Sequence, residues 1–231
     1  MEKFDRRFWT DFKNKCEIDL VGVAAIGAGT PAKMKEQAAE LLPGAKSVLV
    51  FGREIFKEVV ALLEPSKEAG SAAGGEILGP HSDYLNGRLS KAVYDAAAAL
   101  RGEGYRVLPL SPAGCPTDQR FLRAMFSYKQ AAVLAGLGSI GRHSMVLTAA
   151  FGPRVRLACL LTDAPLKPWP AAARADRCLN CNACIRACPA QAIQAPAPGE
   201  AYAMNPFACR TYRQAGLTCG VCMKACAEVL G

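Results

Sequence analysis

Cys178-Leu-Asn-Cys181-Asn-Ala-Cys184-Ile-Arg-Ala-Cys188-Pro189 is the stretch on which the reading of this chain turns. Its spacing is C-x2-C-x2-C-x3-C-P. Two-residue gaps curl the backbone around one cubane with its N–H groups aimed at the sulfurs, and the fourth cysteine reaches a second cubane. Proline breaks the short helix that would otherwise continue. A second half comes later in Cys209, Cys219, Cys222 and Cys226, where the C-x2-C-x3-C ending recurs but the leading cysteine stands ten residues upstream. Crossed ligation then assigns Cys178, Cys181, Cys184 and Cys226 to one 4Fe–4S cluster and Cys188, Cys209, Cys219 and Cys222 to another. Zinc is the alternative, since zinc ribbons also use C-x2-C pairs, though seldom in this full run. Ile185, Ile193 and Val221 are expected to shield the cubanes, because burial tunes their potential.

The compartment supports metal over disulfides. The N-terminus mixes acidic and basic residues with no long apolar run after it, which argues against a secretory signal. The most apolar stretch, Ala131 to Ile140, is too short and glycine-rich to span a bilayer, so the expectation is a cytoplasmic chain with no membrane segment. Cytosolic thiols stay reduced, and the 11 cysteines are an odd number that suits a disulfide framework poorly. Cys159 and Cys16 read as core thiols; Cys115 lies in a loop. The chain has 231 residues, 51% hydrophobic and 21% charged, the range of a folded protein with a core. A net charge of +8 fits either a polyanion or docking of acidic electron-donor proteins, but no Lys/Arg block marks a nucleic-acid arm.

Upstream, helix and strand signals alternate, which predicts an α/β or α+β layer structure. Residues 3–16 carry Phe4, Phe8, Trp9, Phe12 and Cys16 at helical spacing. Ile18 to Ile26 reads as a strand. Thr30-Pro31 reads as an N-cap and first helical position, opening a helix to about Leu42. Lys46 to Gly52 is a buried strand, Gly70 to Pro80 a glycine-rich loop, Leu85 to Leu100 a helix, and Tyr105 to Leu110 a strand. Gln119 to Ala135 has helical spacing. Met145 to Thr148 and Val155 to Leu161 read as a hairpin turning at Phe151-Gly152-Pro153. Asp163 to Arg174, with three prolines, reads as a linker. The predicted domains are therefore 1–170 and 171–231.

Gly136-Leu137-Gly138-Ser139-Ile140-Gly141 satisfies G-x-G-x-x-G, and Asp163 lies where a ribose-binding acid would. The context disagrees with a dinucleotide fold, because a helix precedes the glycines and Gly152-Pro153 cuts short the helix a dinucleotide fold needs after them. The glycines either let the backbone approach a large flat ligand or make a plain tight turn.

Phe126-Ser-Tyr-Lys-Gln-Ala-Ala-Val-Leu-Ala-Gly-Leu-Gly-Ser-Ile-Gly-Arg-His-Ser144, with Phe151-Gly-Pro-Arg-Val-Arg-Leu157 and Leu161-Thr-Asp-Ala-Pro-Leu166, resembles epoxyqueuosine reductase and its short-chain relatives. Reductive dehalogenases resemble it more distantly. The likeness runs over roughly residues 80–226. It implies an N-terminal domain similar to flavin nitroreductases and B12-processing proteins, a ferredoxin-like module with two clusters, and a cobalamin held base-off near one cubane. Neither His81 nor His143 sits in a D-x-H-x-x-G motif, which agrees with a corrinoid lacking a histidine ligand. The matching segment of Gly136, Leu137, Gly138, Ser139, Ile140, Gly141, Arg142, His143 and Ser144 is the candidate cofactor contact.

Two departures from the family stand out. The family places a proton-donating aspartate in a V-D-x-x-P segment after the strand that here is Val107 to Leu110, and this chain has Leu110-Ser111-Pro112 instead. The sequence also stops five residues after Cys226, where the family continues into helical repeats that grip tRNA. Tyr128 becomes the candidate proton donor, because dehalogenase relatives use a tyrosine as acid; a packing aromatic is its other reading. Lys129 or Arg142 could lower its pKa or bind an anionic substrate, and Asp83-Tyr84 resembles the family's R-D-Y-H segment. The expected function is a corrinoid-dependent reductase loaded by ferredoxin or flavodoxin and acting on an unidentified small molecule. Its rivals are an electron-transfer protein with no substrate, tRNA epoxyqueuosine reduction, and FMN in place of the corrinoid.

Overall fold

The computed structural model describes residues 3–64, 73–112, 114–170, 178, 180–200, 202–215 and 219–230. Its elements run α1 (Arg6–Lys15), β1 (Leu20–Ala25), α2 (Ala32–Leu41), β2 (Ser47–Glu54), α3 (Lys57–Ala61) and α4 (Ala73–Arg101). Next come β3 (Val107–Leu110), β4 (Thr117–Asp118), β5 (Arg123–Ala124), α5 (Tyr128–Leu134), β6 (Gly138–Ile140), β7 (Val146–Thr148) and β8 (Val155–Thr162). The cysteine-rich end supplies α6 (Ala183–Arg186), β9 (Ile193–Gln194), β10 (Ala203–Met204), α7 (Pro206–Gln214) and α8 (Val221–Leu230). The mixed α/β class expected from the alternating signals is what the chain adopts. It divides into two compact units: Met1–Arg53, Leu85–Gly138 and Arg156–Ala173 form one; Glu54–Tyr84, Ser139–Val155 and Arg174–Gly231 form the other.

The first unit is built on a four-stranded sheet in the order β1-β2-β8-β3. β1 and β2 are antiparallel, with Leu20 opposite Gly52 and Ala25 opposite Ser47; β3 and β8 are antiparallel, with Leu110 opposite Cys159. The helical periodicity of α1 turns Trp9 into a core that also holds Leu49, Phe51, Leu89, Val93, Leu100 and Leu160. Trp9, Phe51 and Leu160 are fully buried. Truncating Trp9 to alanine would cost about 3–5 kcal/mol, the range for a large core side chain. The Ser47 hydroxyl, buried in the sheet, is satisfied: it donates to Ala164 O at 2.7 Å and accepts from Leu166 N–H at 3.0 Å.

Several expectations change here. Thr30 does not cap α2. Its hydroxyl accepts from Gly27 N–H and donates to Ala25 O, both at 3.1 Å, so it closes the preceding turn and Pro31 takes the cap position. The glycine-rich stretch read as a loop is helical from Ala73 onward, with Pro80 inside α4, while residues 70–72 lie outside the described residues. Of Gln119 to Ala135, only Tyr128–Leu134 is helix. Leu122 sits at φ +51°, Met125 N–H donates to Pro116 O at 2.8 Å, and Ser127 caps α5 by accepting from Gln130 N–H. Local turn bonding therefore overrides helical spacing in that stretch.

The expected hairpin is also absent. β7 pairs with β6, and β8 lies between β2 and β3. The Phe151-Gly152-Pro153 turn closes on Thr148 instead, whose N–H donates to Gly152 O at 2.9 Å while Gly152 N–H donates back to Thr148 O at 3.1 Å. The proline-rich linker starts as core: Ala164 is buried and Trp169 N–H donates to Val23 O at 2.9 Å. Residues 171–174 of it lie outside the described residues.

In the second unit α6 and α3 both pack on α8, and β9 pairs antiparallel with β10. A Cβ on Gly220 would meet Leu63 Cδ1 at 2.4 Å, so any larger residue there would make the Leu63 side chain shift. Lys224 on α8 pairs with Glu64 at 3.1 Å. Residues 54–64 thus buttress the cysteine-bearing helix.

Candidate metal centre

Cys184 rides on α6 and Cys226 on α8, and these two helices pack together. Cys178 and Cys181 lie ahead of α6, where Cys181 N–H donates to Cys178 O at 3.2 Å. The four sulfur-bearing residues, with His143 and Leu147, line one small cavity. Cys184 and Cys226 are buried and the other two half-buried. Burial first, and the nearby Cys178, Cys184 and Cys181 second, push the Cys226 thiol up to about 12. An apolar cavity lined by four thiols suits a soft, thiolate-bound group, because a metal cation offsets the negative charge on sulfurs that burial, and secondarily the neighbouring sulfurs, would otherwise keep protonated.

The other four cysteines also neighbour one another. Burial pushes Cys222 up to about 12, with Cys219, Cys209 and Cys188 adding to it and Cys184 contributing last. Cys209 is raised by burial and by Cys219 and Cys188, while the Arg213 guanidinium one turn along α7 pulls the other way. Asn205 accepts from Phe207 N–H and Ala208 N–H at 3.0 Å each, capping α7 with Pro206 at its first turn. Cys188 Sγ accepts from Ala192 N–H at 3.3 Å. Ile193 and Val221 are buried in this unit and Ile185 is half-buried. Among the described residues no group of three or more His, Cys, Asp or Glu side chains converges on a point that could hold a single metal ion.

The glycine segment is mostly explained by its own local structure. Leu137 N–H donates to Ala132 O at 2.9 Å and Gly136 N–H to Val133 O at 3.1 Å, a Schellman ending for α5 with Gly136 at φ +75°. Gly138 and Ser139 continue into β6 with Ile140. Gly141 is pressed between side chains: a Cβ there would meet His143 Cε1 at 2.9 Å and Leu147 Cδ1 at 3.1 Å. Ser144 is buried at φ +65° and its N–H donates to Gly141 O at 2.8 Å. Arg142 reaches the cysteine run, donating from Nη1 to Cys181 O at 3.0 Å and to Asn182 Oδ1. His143, 3% exposed, accepts on Nδ1 from Met145 N–H at 3.0 Å. Neither Asn182 nor Leu147 stands out in the sequence. A polar residue directly after Cys181 is the only signal it carries.

Tyr128 opens α5 in the first unit, and its hydroxyl donates to Ser111 O at 2.8 Å. Burial chiefly, then Cys159 and Cys115, push its phenol well above the ordinary range. It therefore holds its proton throughout the neutral range. The loop it touches is the one where the resemblance expects an aspartate. Burial holds the neighbouring Lys129 below the usual lysine range. Cys159 is fully buried, Cys16 packs at the edge of the core, and Cys115 Sγ accepts from Phe126 N–H at 3.3 Å. Asp163 pairs with Arg106 Nε at 2.9 Å, so its carboxylate serves the β3–β8 edge. Tyr84 is exposed. The two arginines of Phe151–Leu157 are structural: Arg154 bonds Glu54 and Ile55 O, and Arg156 bonds Asn86. Among the described residues no helix is long and apolar enough to cross a membrane.

Comparison with known proteins agrees with the resemblance. Residues 174–194 match the family model of the 4Fe-4S binding domain. Over 151 residues, 64% of this chain, the sequence is 36% identical to a tetrachloroethene reductive dehalogenase of Desulfitobacterium hafniense, of which it covers 23%. Over 78 residues, 34% of this chain, it is 35% identical to an epoxyqueuosine reductase of Listeria monocytogenes, of which it covers 19%. The chain thus spans about a quarter or less of the curated relatives it matches. A solved reductive dehalogenase, described as suggesting a mechanism for B12-dependent dehalogenation, superposes with a TM-score of 0.63. It shares 20% identity over 93% of this chain and 30% of that one, a likeness of fold.

Proposed function

We propose that this chain is an iron–sulfur reductase of the kind seen in reductive dehalogenases and epoxyqueuosine reductases, holding two 4Fe–4S clusters and working with a corrinoid. The observation that carries the reading is the cavity shared by Cys178, Cys181, Cys184 and Cys226, three from one short run and one from the far helix α8. In this reading those four hold one cluster and Cys188, Cys209, Cys219 and Cys222 hold the other. The clusters supply one-electron transfer and a cobalamin supplies the reducing metal. Support for the corrinoid comes from the B12-dependent relative of the same fold. The sheet unit is read as the nitroreductase-like layer, in a cytoplasmic protein loaded by ferredoxin or flavodoxin.

The residues then have definite tasks. Arg142 ties the glycine segment to the carbonyl of Cys181 and so fixes the ligand loop. Apolar burial by Ile193 and Val221 keeps water from the thiolates. Tyr128 keeps a proton on its hydroxyl beside Ser111, where an acid is missing, and is the group positioned to give one up to a reduced product. The substrate is read as a small molecule; the serine in the aspartate's place counts against epoxyqueuosine in tRNA.

Anaerobic reconstitution with iron and sulfide, followed by addition of cobalamin, tests this. The expected result is eight irons per chain and a base-off Co(II) EPR signal. Iron without cobalamin uptake leaves an electron-transfer protein, and retained FMN points to the flavin reading. Zinc in place of iron overturns the proposal. A salt-dependent tRNA shift would move the substrate to nucleic acid.

A further inference from the structure

His143 belongs to the wall that the four cysteines share. It lines the same cavity as Cys178, Cys181, Cys184 and Cys226. Its ring is fixed on two sides. Nδ1 accepts from Met145 N–H at 3.0 Å, and Cε1 lies against the backbone of Gly141, where a Cβ would stand only 2.9 Å away. A neutral imidazole that accepts on Nδ1 carries its proton on Nε2, at the opposite end of the ring. That Nε2 atom is closed off from solvent. The cavity surface around the ring is sulfur and aliphatic carbon, so thiolate and inorganic sulfide are the acceptors its chemistry provides.

We propose that His143 is a positioning residue for the first cluster: its Nε2–H donates a hydrogen bond to a cysteinyl or inorganic sulfur of the cluster held by Cys178, Cys181, Cys184 and Cys226. This rests on the iron–sulfur reading above. A hydrogen bond to sulfur withdraws charge from the cluster and favours its reduced form, so it raises that cluster's potential relative to the one held by Cys188, Cys209, Cys219 and Cys222. The glycine at 141 fits the same arrangement, since any larger residue would displace the ring.

The chain contains two histidines, His81 and His143, which makes the test specific. Full-length protein grown on 15N-histidine is reconstituted anaerobically and reduced, and pulsed EPR is used to look for nitrogen coupled to a cluster. The expected signal persists in His81→Gln and vanishes in His143→Gln. Redox titration supplies the second readout. His143→Asn keeps an acceptor for Met145 N–H but cannot reach the cavity with a donor. It should lower the reduction equilibrium constant of one cluster roughly tenfold, about 59 mV for a one-electron couple, and leave the other unchanged. His143→Gln, whose amide reaches as far as Nε2, should restore most of that shift. Fully iron-loaded wild type with no histidine coupling, a coupling lost in His81→Gln, or an unshifted potential in His143→Asn overturns this inference alone. Wild type that takes up no iron overturns the reading beneath it as well.

Discussion

Tyr128 and Asp163 show how a single side chain acquires a role from its surroundings. The phenol of Tyr128 is kept protonated by burial and points at a backbone carbonyl, Ser111 O. Tyr128→Phe should lower unfolding stability by only about 1 kcal/mol, the net worth of one hydrogen bond, and leave the iron content unchanged. Turnover of the loaded protein should fall by about 100-fold or more if the phenol gives up its proton. Denaturant melts, iron analysis and kcat on one variant separate these effects. Asp163 is held below the usual carboxylate range by Arg106, first through the side-chain hydrogen bond. Because its folded pKa is depressed, its contribution is full above the unfolded value, about 3.9, and is lost as pH falls through the folded one. Asp163→Asn should therefore cost about 0.2–1 kcal/mol at neutral pH, with screening by salt, and nothing in strong acid. Melts at neutral pH and in strong acid would show it.

At the scale of elements, the segment between α5 and β7 is where sequence and structure part most instructively. Its three glycines satisfy a nucleotide-binding pattern, yet Gly136 is the left-handed residue that ends α5 and Gly141 makes room for His143. Gly136→Ala should destabilise the fold by about 1–2 kcal/mol, the cost of a left-handed backbone for an L-residue, as read from the denaturation midpoint. Arg142 ends this segment on the Cys181–Asn182 backbone and side chain. Both bonds leave from one terminal nitrogen, Nη1, and a lysine's ammonium, carried on a shorter side chain, falls one bond short of that position. Arg142→Lys should therefore fold normally but lose iron faster to a chelator, measured from the decay of cluster absorbance. Turn bonding also defeats periodicity between Gln119 and Ser127, where apolar spacing suggests helix.

For the molecule as a whole, the decisive question is which cysteines act together across sequence distance. Cys226→Ser should remove about half of the bound iron and abolish the same EPR signal that Cys178→Ser abolishes, since both residues line one cavity. Cys159→Ser should leave both signals intact, because that thiol is buried in the four-stranded sheet of the other unit.

Much of this is legible in the sequence. Cysteine spacing encodes local backbone curvature, so Cys178, Cys181 and Cys184 can be grouped from the chain alone, and helical period and strand runs locate α1, β1, β2 and the second half of α4. Only the tertiary structure decides that the glycine segment closes on the cysteine run through Arg142 and His143, and that residues 54–64 brace α8. The physical reason is that spacing records only what neighbours along the chain do to one another. Contacts between distant segments depend on which faces exclude water together, and no local pattern carries that information.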